Sequence, residues 1–248
     1  MSKPVLVTGS SRGIGAASAI RLASEGYDIC VNYVQDASAA NKVVEEIESI
    51  GRKALAIQAD VSQETQVLAL FERMDDYFGA VYGLVNNAGV LFKQMRVEEM
   101  SAERINTVLT TNVTSYFLCA REAVKRMSLD RGGSGGVIVN VSSAAARIGS
   151  AGEYVDYAAS KGAIDSMTIG LAQEVAGQGI RVNAVRPGFI YTEMHRDGGE
   201  PGRVDRLKDS LPMKRGGTTE EVAAAVAWLI SEESSYTTGS FIEVSGGR

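Results

Sequence analysis

Apolar and polar positions follow two alternating patterns along the chain. Short, nearly continuous apolar runs predict buried strands, and longer stretches with an apolar residue every three or four positions predict helices. The strands are predicted at residues 4–8, 28–34, 53–59, 81–86, 137–142, 180–186 and 241–244, and the helices at 13–25, 36–50, 64–78, 98–127 (one helix or two), 153–178 and 219–231. This alternation predicts an α/β fold, a doubly wound parallel sheet of about seven strands with helices on both faces.

Length and composition favour one domain over residues 1–248. The two cysteines, Cys30 and Cys119, lie in apolar patterns and are expected to be buried free thiols. Because no cysteine–histidine cluster occurs, we predict no metal site.

The charge of the chain argues against several partners. The formal net charge is −5 and the pI is about 5.1, so a nucleic acid is a poor candidate. No run reaches the roughly 20 apolar residues that span a bilayer, and the first residues do not resemble a secretion signal. We therefore expect a cytoplasmic protein without a membrane partner.

A glycine-rich turn joins the first predicted strand to the first helix. Residues 8–15 read TGSSRGIG, in which the glycines are spaced GxxxGxG. Glycines let the backbone approach a pyrophosphate, and the helix start offers free N–H groups and a positive dipole end. A tight turn without a ligand would look similar, but the first turn of a doubly wound sheet is where dinucleotides bind.

Two further strand ends carry polar groups that suit an adenosine. Asp60 follows the third strand, where its carboxylate can accept from an adenine amino group or, alternatively, cap the next helix. Residues 86–89, NNAG, end the fourth strand, where amide side chains can tie strand ends together or simply form a turn.

The long helix at 153–178 carries a tyrosine and a lysine on one face. Tyr157 and Lys161 are four residues apart, and an ammonium one turn away is expected to lower the pKa of the tyrosine. Such a tyrosine could act as an acid or base near neutral pH, although surface Tyr–Lys pairs are common. Ser142 and Ser143 close the fifth strand, at the edge where open α/β sheets bind ligands.

Together these motifs resemble the short-chain dehydrogenase/reductase family, whose members have a Rossmann-type fold. The resemblance covers essentially the whole chain and is carried by TGSSRGIG at 8–15, NNAG at 86–89, Asn112, VSS at 141–143, YAASK at 157–161 and RPGFIYT at 186–192. Six motifs in the right order make coincidence improbable. Within the family, the chain is similar to uncharacterised bacterial oxidoreductases near the glucose dehydrogenases and the 3-oxoacyl-acyl-carrier-protein reductases.

The resemblance implies four catalytic residues. Tyr157 would be the general acid/base, and Lys161 would hold the nicotinamide ribose and lower the pKa of the tyrosine. Ser143 would hold the substrate oxygen, and Asn112 would anchor a water in a proton relay with Lys161. Ser143 lies one residue further from the tyrosine than is usual in the family, which an insertion within 147–152 would explain. Ser142 is the second candidate, and Tyr154 is a weaker alternative to Tyr157.

The resemblance also implies cofactor contacts at many positions. They are Gly9, Ser11, Arg12, Gly13, Ile14, Gly15, Asn32, Tyr33, Asp60, Val61, Asn87, Ala88, Gly89, Tyr157, Lys161, Pro187, Gly188, Ile190 and Thr192. NADP(H) is favoured over NAD(H), because the end of the second strand lacks the carboxylate typical of NAD enzymes and Arg12 can meet a 2′-phosphate.

The expected activity is hydride transfer between NADP(H) and a carbonyl or secondary alcohol. More specific alternatives are a glucose-type sugar dehydrogenase or a 3-oxoacyl-acyl-carrier-protein reductase. Two alternatives of other classes are a redox sensor that binds the dinucleotide without turnover and a hydride-independent isomerase or dehydratase on the same fold. The resemblance further implies a substrate loop at about 190–215 and a homotetramer or homodimer, paired through helices near 112–128 and 153–178.

The chain has one histidine and one tryptophan, and we expect neither to be catalytic. His195, the only histidine, is expected to face solvent in a loop, with a substrate contact as the alternative. Trp228 falls in an apolar stripe at helical spacing and is expected in the core.

Overall fold

The computed structural model describes residues 3–248, which form a single seven-stranded sheet with helices on its two faces. The strands are β1 (Pro4–Val7), β2 (Asp28–Tyr33), β3 (Ala54–Gln58), β4 (Gly83–Asn86), β5 (Gly136–Val141), β6 (Ile180–Pro187) and β7 (Phe241–Val244). All seven predicted strands are therefore confirmed; no end differs by more than one residue except the start of β4, which lies two residues later than predicted.

The strand order is β3-β2-β1-β4-β5-β6-β7, and every neighbouring pair is parallel. The chain adds strands outward from β1 in one direction and then, from β4, in the other. The order therefore reverses between β1 and β4, and such a reversal opens a crevice at the carboxyl ends of these strands.

The longer helices confirm the predicted pattern. They are α1 (Gly13–Ser24), α2 (Ala37–Ser49), α3 (Glu64–Phe78), α4 (Ala102–Leu109), α5 (Ser115–Met127), α7 (Val155–Val175) and α10 (Thr219–Ile230). Three short helices were not predicted, namely α6 (Ala145–Ile148), α8 (Met194–Asp197) and α9 (Arg203–Leu207). Each has only four or five residues, too few for a periodic pattern to be visible.

The core consists of two apolar layers, one on each face of the sheet. One layer packs α1, α2 and α10 against the sheet, and the other packs α3, α5 and α7. Strands buried on both faces explain the unbroken apolar runs in the sequence. Cys30 and Cys119 lie in this core as free thiols, as predicted.

The prediction that Trp228 lies in the core is wrong, since 38% of this residue is exposed. Val226, Ala227 and Leu229 on the same helix are fully buried. The buried stripe of α10 is wide, but Trp228 falls just beyond its edge.

Among residues 3–248, no helix is both long and apolar enough to cross a membrane.

Candidate active site

The glycine loop between β1 and α1 has the backbone that its sequence requires. Gly9 and Gly13 have φ angles of 61° and 58°. Residues that carry a Cβ atom rarely adopt such positive values. At Gly15 a Cβ atom would lie 2.5 Å from the carbonyl oxygen of Gly9 and 2.6 Å from Nδ2 of Asn87. The three glycines therefore allow the loop to fold tightly against the neighbouring strand end.

The start of α1 offers free backbone donors. Arg12 is the N-cap residue, and no side chain caps the first turn. The first N–H groups of a helix have no partner within it, and the helix dipole adds partial positive charge there. An anion such as a pyrophosphate fits this end of the helix.

The residues 86–89 brace the glycine loop, as predicted for their amide groups. The side chain of Asn87 donates to the carbonyl oxygens of Thr8 and Gly9 at 2.9 and 3.0 Å. The backbone N–H groups of Asn87 and Ala88 donate to Oγ1 of Thr8. In the sheet below, Nδ2 of Asn86 donates to Oδ1 of Asn140 on β5 at 3.0 Å.

Asn32, a predicted cofactor contact, supports the loop from the other side. Its side chain is fully buried, accepts from the N–H of Gly9 at 3.1 Å and donates to the carbonyl oxygen of Ala59 at 2.9 Å. The amide is thus occupied by protein partners, and its role is to position Gly9. The half-buried Tyr33 follows it at the end of β2.

Asp60 and Val61 follow β3 and differ in exposure, since Asp60 is partly exposed and Val61 is buried. The carboxylate of Asp60 accepts from the backbone N–H of Ser62 at 2.9 Å, and the residue remains partly exposed at the end of β3. The side chain of Val61 belongs to the core.

The two serines at the end of β5 point to different neighbours. Oγ of Ser142 donates to Oδ1 of Asp165 at 2.6 Å. Oγ of Ser143 instead accepts from the N–H of Ala145 at 3.1 Å, and this side chain lowers the pKa of Tyr157. The Ser142 hydroxyl is therefore engaged by Asp165, whereas Ser143 is the serine that acts on the tyrosine.

The longer spacing between Ser143 and Tyr157 is accommodated by the turn before α7. Gly149, Ser150 and Gly152 all have positive φ angles, between 47° and 73°. This irregular turn lies within the segment where the sequence suggested an extra residue.

Tyr157 and Lys161 lie one turn apart on α7 and both line the same cavity. Nζ of Lys161 lies 5.7 Å from the centre of the Tyr157 ring. It donates to the carbonyl oxygen of Val141 at 2.8 Å and to the hydroxyl of Tyr116 at 3.2 Å. Tyr116, on α5, is a neighbour of the lysine that no sequence pattern indicated.

The expected lowering of the tyrosine pKa is wrong for this arrangement. Burial raises the pKa of Tyr157 to about 12, and the hydrogen bond from Ser143 opposes that effect. Burial also lowers the pKa of Lys161 to about 7, against the nearby carboxylate of Asp165, which raises it. Burial thus shifts both groups toward their neutral forms, but a pKa of about 7 leaves Lys161 partly charged at neutral pH.

Asn112 lies in a π-helical turn, Thr110–Thr114, that joins α4 to α5. Its side chain accepts from the N–H of Val90 at 2.8 Å and donates to the carbonyl oxygen of Val90 and to Oγ of Ser160. It therefore fastens the segment after β4 to α7, next to Lys161. Turns of this kind occur often at functional sites, but their sequences carry no distinct signal.

One cavity connects these groups. It is lined by the predicted residues Ile14, Asn87, Ser143, Tyr157, Lys161, Pro187, Gly188, Ile190 and Thr192. The rest of the glycine loop adjoins it, whereas Asn32, Tyr33, Asp60, Val61, Ala88, Gly89 and Asn112 do not line it.

The segment after β6 covers the cavity and brings His195 into it. His195 lines the cavity from α8, so the prediction of a solvent-facing loop residue is wrong. Its Nδ1 atom is buried and has no hydrogen-bond partner among the described residues. Burial and the neighbouring Arg203 lower the pKa of the imidazole, which favours its neutral form.

Ion pairs hold this covering segment in place. The buried guanidinium of Arg203, on α9, pairs with Glu153 before α7 and with Glu200. Its charge lies 5.0 Å from the centre of the Tyr154 ring, and the Tyr154 hydroxyl donates to the carbonyl oxygen of Gly198 at 3.3 Å. Tyr154 therefore belongs to the cover of the site, not to the pair with Lys161.

A nicotinamide dinucleotide fits these features. The uncapped start of α1 suits the pyrophosphate, the partly exposed Asp60 follows β3 on the same sheet, and the cavity is lined by Ile14, Tyr157 and Lys161. Among the described residues, no group of three or more acidic, cysteine or histidine side chains could hold a metal ion.

The reversed strand order, the glycine loop at the reversal and the Ser–Tyr–Lys group define an oxidoreductase of the dinucleotide-binding class. Residues 9–248 match the family model described as enoyl-(acyl carrier protein) reductase. The chain belongs to the short-chain dehydrogenase/reductase family, which confirms the resemblance seen in its motifs.

Similar proteins span nearly the whole chain. An uncharacterized oxidoreductase of Escherichia coli K12, YgfF, is 64% identical over 98% of both chains. Glucose 1-dehydrogenase 2 of Bacillus subtilis is 43% identical over 99% of this chain and 94% of its own. Among solved structures, a short-chain dehydrogenase from Burkholderia cenocepacia in complex with NADP has 35% identity and a TM-score of 0.91, covering 99% and 97% of the two chains.

Proposed function

We propose that the protein is an NADP(H)-dependent oxidoreductase that interconverts a carbonyl and a secondary alcohol, with Tyr157 as the proton donor and acceptor. The observation that carries the proposal is the shared cavity. It is lined by Ser143, Tyr157 and Lys161 and also by Ile14 of the glycine loop.

In the reductive direction, the Tyr157 hydroxyl donates its proton to the substrate oxygen. The pKa of Tyr157, about 12, keeps the phenol protonated at neutral pH, which suits a proton donor. Ser143 donates to the substrate oxygen or to the phenolate, so it stabilises negative charge on either atom. In the oxidative direction, the phenolate accepts the proton of the alcohol.

The bound nicotinamide supplies or accepts the hydride. Lys161 is held by Val141 and Tyr116 on one side and faces the cavity on the other, where it can bind ribose hydroxyls and place a positive charge near the phenolate. The covering segment with His195 and the Arg203 ion pairs excludes water from the reacting atoms. Asn112 positions the segment after β4 and α7 beside them.

NADP(H) is proposed over NAD(H) on two features. The end of β2 carries Asn32 and Tyr33, so no carboxylate is present there to repel a 2′-phosphate. Arg12, at the start of α1, has an exposed guanidinium that can pair with that phosphate. The solved Burkholderia relative with NADP is consistent with this assignment.

The test follows nicotinamide absorbance with purified enzyme, NADPH or NADP⁺, and a panel of ketones, sugars and 3-oxoacyl thioesters. The panel includes glucose and a 3-oxoacyl substrate because relatives carry those names. Once a substrate is found, Tyr157→Phe should lower kcat about a thousandfold, within the range of general acid–base catalysis, with little change in NADPH affinity.

Tyr154→Phe is the matched control. It removes one buried hydroxyl from the same helix start, but that hydroxyl contacts Gly198 in the cover. It should retain most of the turnover. Near wild-type turnover in Tyr157→Phe would refute the assignment of the tyrosine. Tight NADPH binding without turnover on any substrate of the panel would favour a dinucleotide-binding sensor instead.

A homotetramer is proposed as the assembly. Phe117 on α5 and Ile169 on α7 expose large apolar side chains on the two helices that the family resemblance pairs between subunits. Pairing of these helices with those of a second subunit would remove both side chains from water.

A further inference from the structure

An ion pair joins the glycine loop to the segment that covers the cavity. The guanidinium of Arg12 donates to Oδ2 of Asp197 at 2.6 Å, across 185 residues of sequence. Within residues 3–248, Asp197 is the sole side chain found in a hydrogen bond or ion pair with Arg12.

The partner of Arg12 lies on an element that also shapes the substrate side. Asp197 ends α8, and Met194 and His195 on the same helix line the cavity with Tyr157. Backbone bonds from Asp197 to Glu193 and from Gly198 to Met194 keep this turn together. Arg12 therefore links the cofactor side of the site to its cover.

A 2′-phosphate would need the same guanidinium. A planar guanidinium binds an anion through two parallel N–H groups, so a phosphate in the best geometry displaces the carboxylate or shares the group with it. Sharing would place two anions within a few ångströms of one another, which is unfavourable. Asp197 and the phosphate are therefore competitors.

We propose that Asp197 is a specificity-determining residue, whose carboxylate competes with the 2′-phosphate of NADPH for Arg12 and so limits the preference for NADPH over NADH. This inference rests on the proposed function, which assigns Arg12 to the phosphate. NADH has no 2′-phosphate and leaves the ion pair intact, whereas NADPH binds at the expense of that pair.

The size of the effect follows from the exposure of the pair. The two side chains are 54% and 42% exposed, and exposed ion pairs contribute little to stability. Removing the competitor should therefore tighten NADPH binding by about two- to fivefold, with no change for NADH.

The experiment measures Kd for NADPH and for NADH by calorimetry, on the full chain and at one low ionic strength, since salt screens such pairs. The variants are Asp197→Asn and, as a matched control, Glu193→Gln. Glu193 is a carboxylate one turn earlier on the same segment and has no ion pair with Arg12 among the described contacts. We expect Asp197→Asn to raise the ratio of the NADH Kd to the NADPH Kd and Glu193→Gln to leave it unchanged.

A double-variant cycle shows whether Asp197 acts through Arg12. In Arg12→Ala, NADPH should bind more weakly and NADH as before. Adding Asp197→Asn to Arg12→Ala should then leave the ratio of the two Kd values unchanged. Asp197→Ser repeats the test if the amide perturbs folding.

The outcomes separate the two proposals. If Arg12→Ala weakens NADPH alone and Asp197→Asn leaves the ratio unchanged or lowers it, competition is wrong and the role of Arg12 stands. If Glu193→Gln raised the ratio of the NADH Kd to the NADPH Kd as much as Asp197→Asn does, the cause would be a general effect of charge. Equal tightening of NADPH and NADH binding in Asp197→Asn would show the same. Either result would overturn the competition. If Arg12→Ala leaves the ratio unchanged, the assignment of Arg12 to the phosphate fails, and the competition fails with it.

Discussion

The side chain of Ser143 lowers the pKa of Tyr157, although the two residues come from different elements, the end of β5 and the first turn of α7, and both line the cavity. This effect opposes the larger effect of burial, which raises the pKa of the tyrosine. Ser143 thereby makes the phenolate easier to form in a desolvated site.

Ser143→Ala should raise the pKa of Tyr157 further and slow alcohol oxidation, which needs the phenolate. Loss of a hydrogen bond to a charged group is worth about 1.5–3 kcal/mol, or about ten- to hundredfold in kcat/KM. The measurement is the pH dependence of oxidative kcat/KM, whose rise should move to higher pH. Ser142→Ala is the control, because its hydroxyl donates to Asp165. An equal loss in the control would contradict the assignment.

Asp165 raises the pKa of Lys161, whereas Ser143 lowers the pKa of Tyr157. Its carboxylate raises the pKa of Lys161, which burial lowers to about 7. In Asp165→Asn that support is lost, so the ammonium should deprotonate at lower pH. We expect the alkaline fall of NADPH-dependent reduction to move to lower pH by up to about one unit, equivalent to about 1.4 kcal/mol.

A control for Asp165→Asn is available on β7. Glu243 also pairs with Arg186, as Asp165 does, but it is not among the groups that shift the pKa of Lys161. Glu243→Gln should therefore leave the pH profile in place. A profile that moves equally in both variants would point to Arg186 and disprove the role of Asp165.

The sequence predicted those parts of the site that depend on local spacing. The glycine loop, the Tyr157–Lys161 pair and the polar strand ends each lie within a few residues of one another, and the parallel sheet brings the strand ends together. The order of motifs was therefore sufficient to predict the family and the fold.

Features that depend on distant packing could not be predicted. Tyr116 reaches Lys161 from α5, and Asp197 reaches Arg12 across the site, yet neither residue follows a pattern in the sequence. The same reason explains the error on His195, because α8 is too short to show which side it buries. The tyrosine pKa was misjudged because burial, which spacing does not reveal, exceeds the effect of a nearby charge.

The proposed tetramer can be tested at Phe117, which is 52% exposed on α5. Phe117→Glu would place charges in an apolar contact between subunits, where an unpaired charge is costly. Light scattering at micromolar concentration should show a tetramer for the wild type and a smaller species for the variant. Tyr77→Glu, an exposed aromatic on α3, should remain tetrameric. A monomeric wild type would refute the assembly itself.

The last prediction concerns Tyr33, which ends β2 next to Asn32, the residue that braces Gly9. Tyr33→Asp would place a carboxylate where enzymes of this fold bind both ribose hydroxyls of NADH, and it would repel a 2′-phosphate. We expect the ratio of kcat/KM for NADPH and NADH to fall about ten- to hundredfold, or about 1–3 kcal/mol. Tyr33→Asn loses the ring without adding charge, so it separates the effect of the lost ring from the effect of the new carboxylate. An equal shift in Tyr33→Asn, or a wild type that uses NADH as well as NADPH, would contradict the proposed preference. Because Asp197→Asn is expected to favour NADPH, adding it to Tyr33→Asp should restore part of the lost preference.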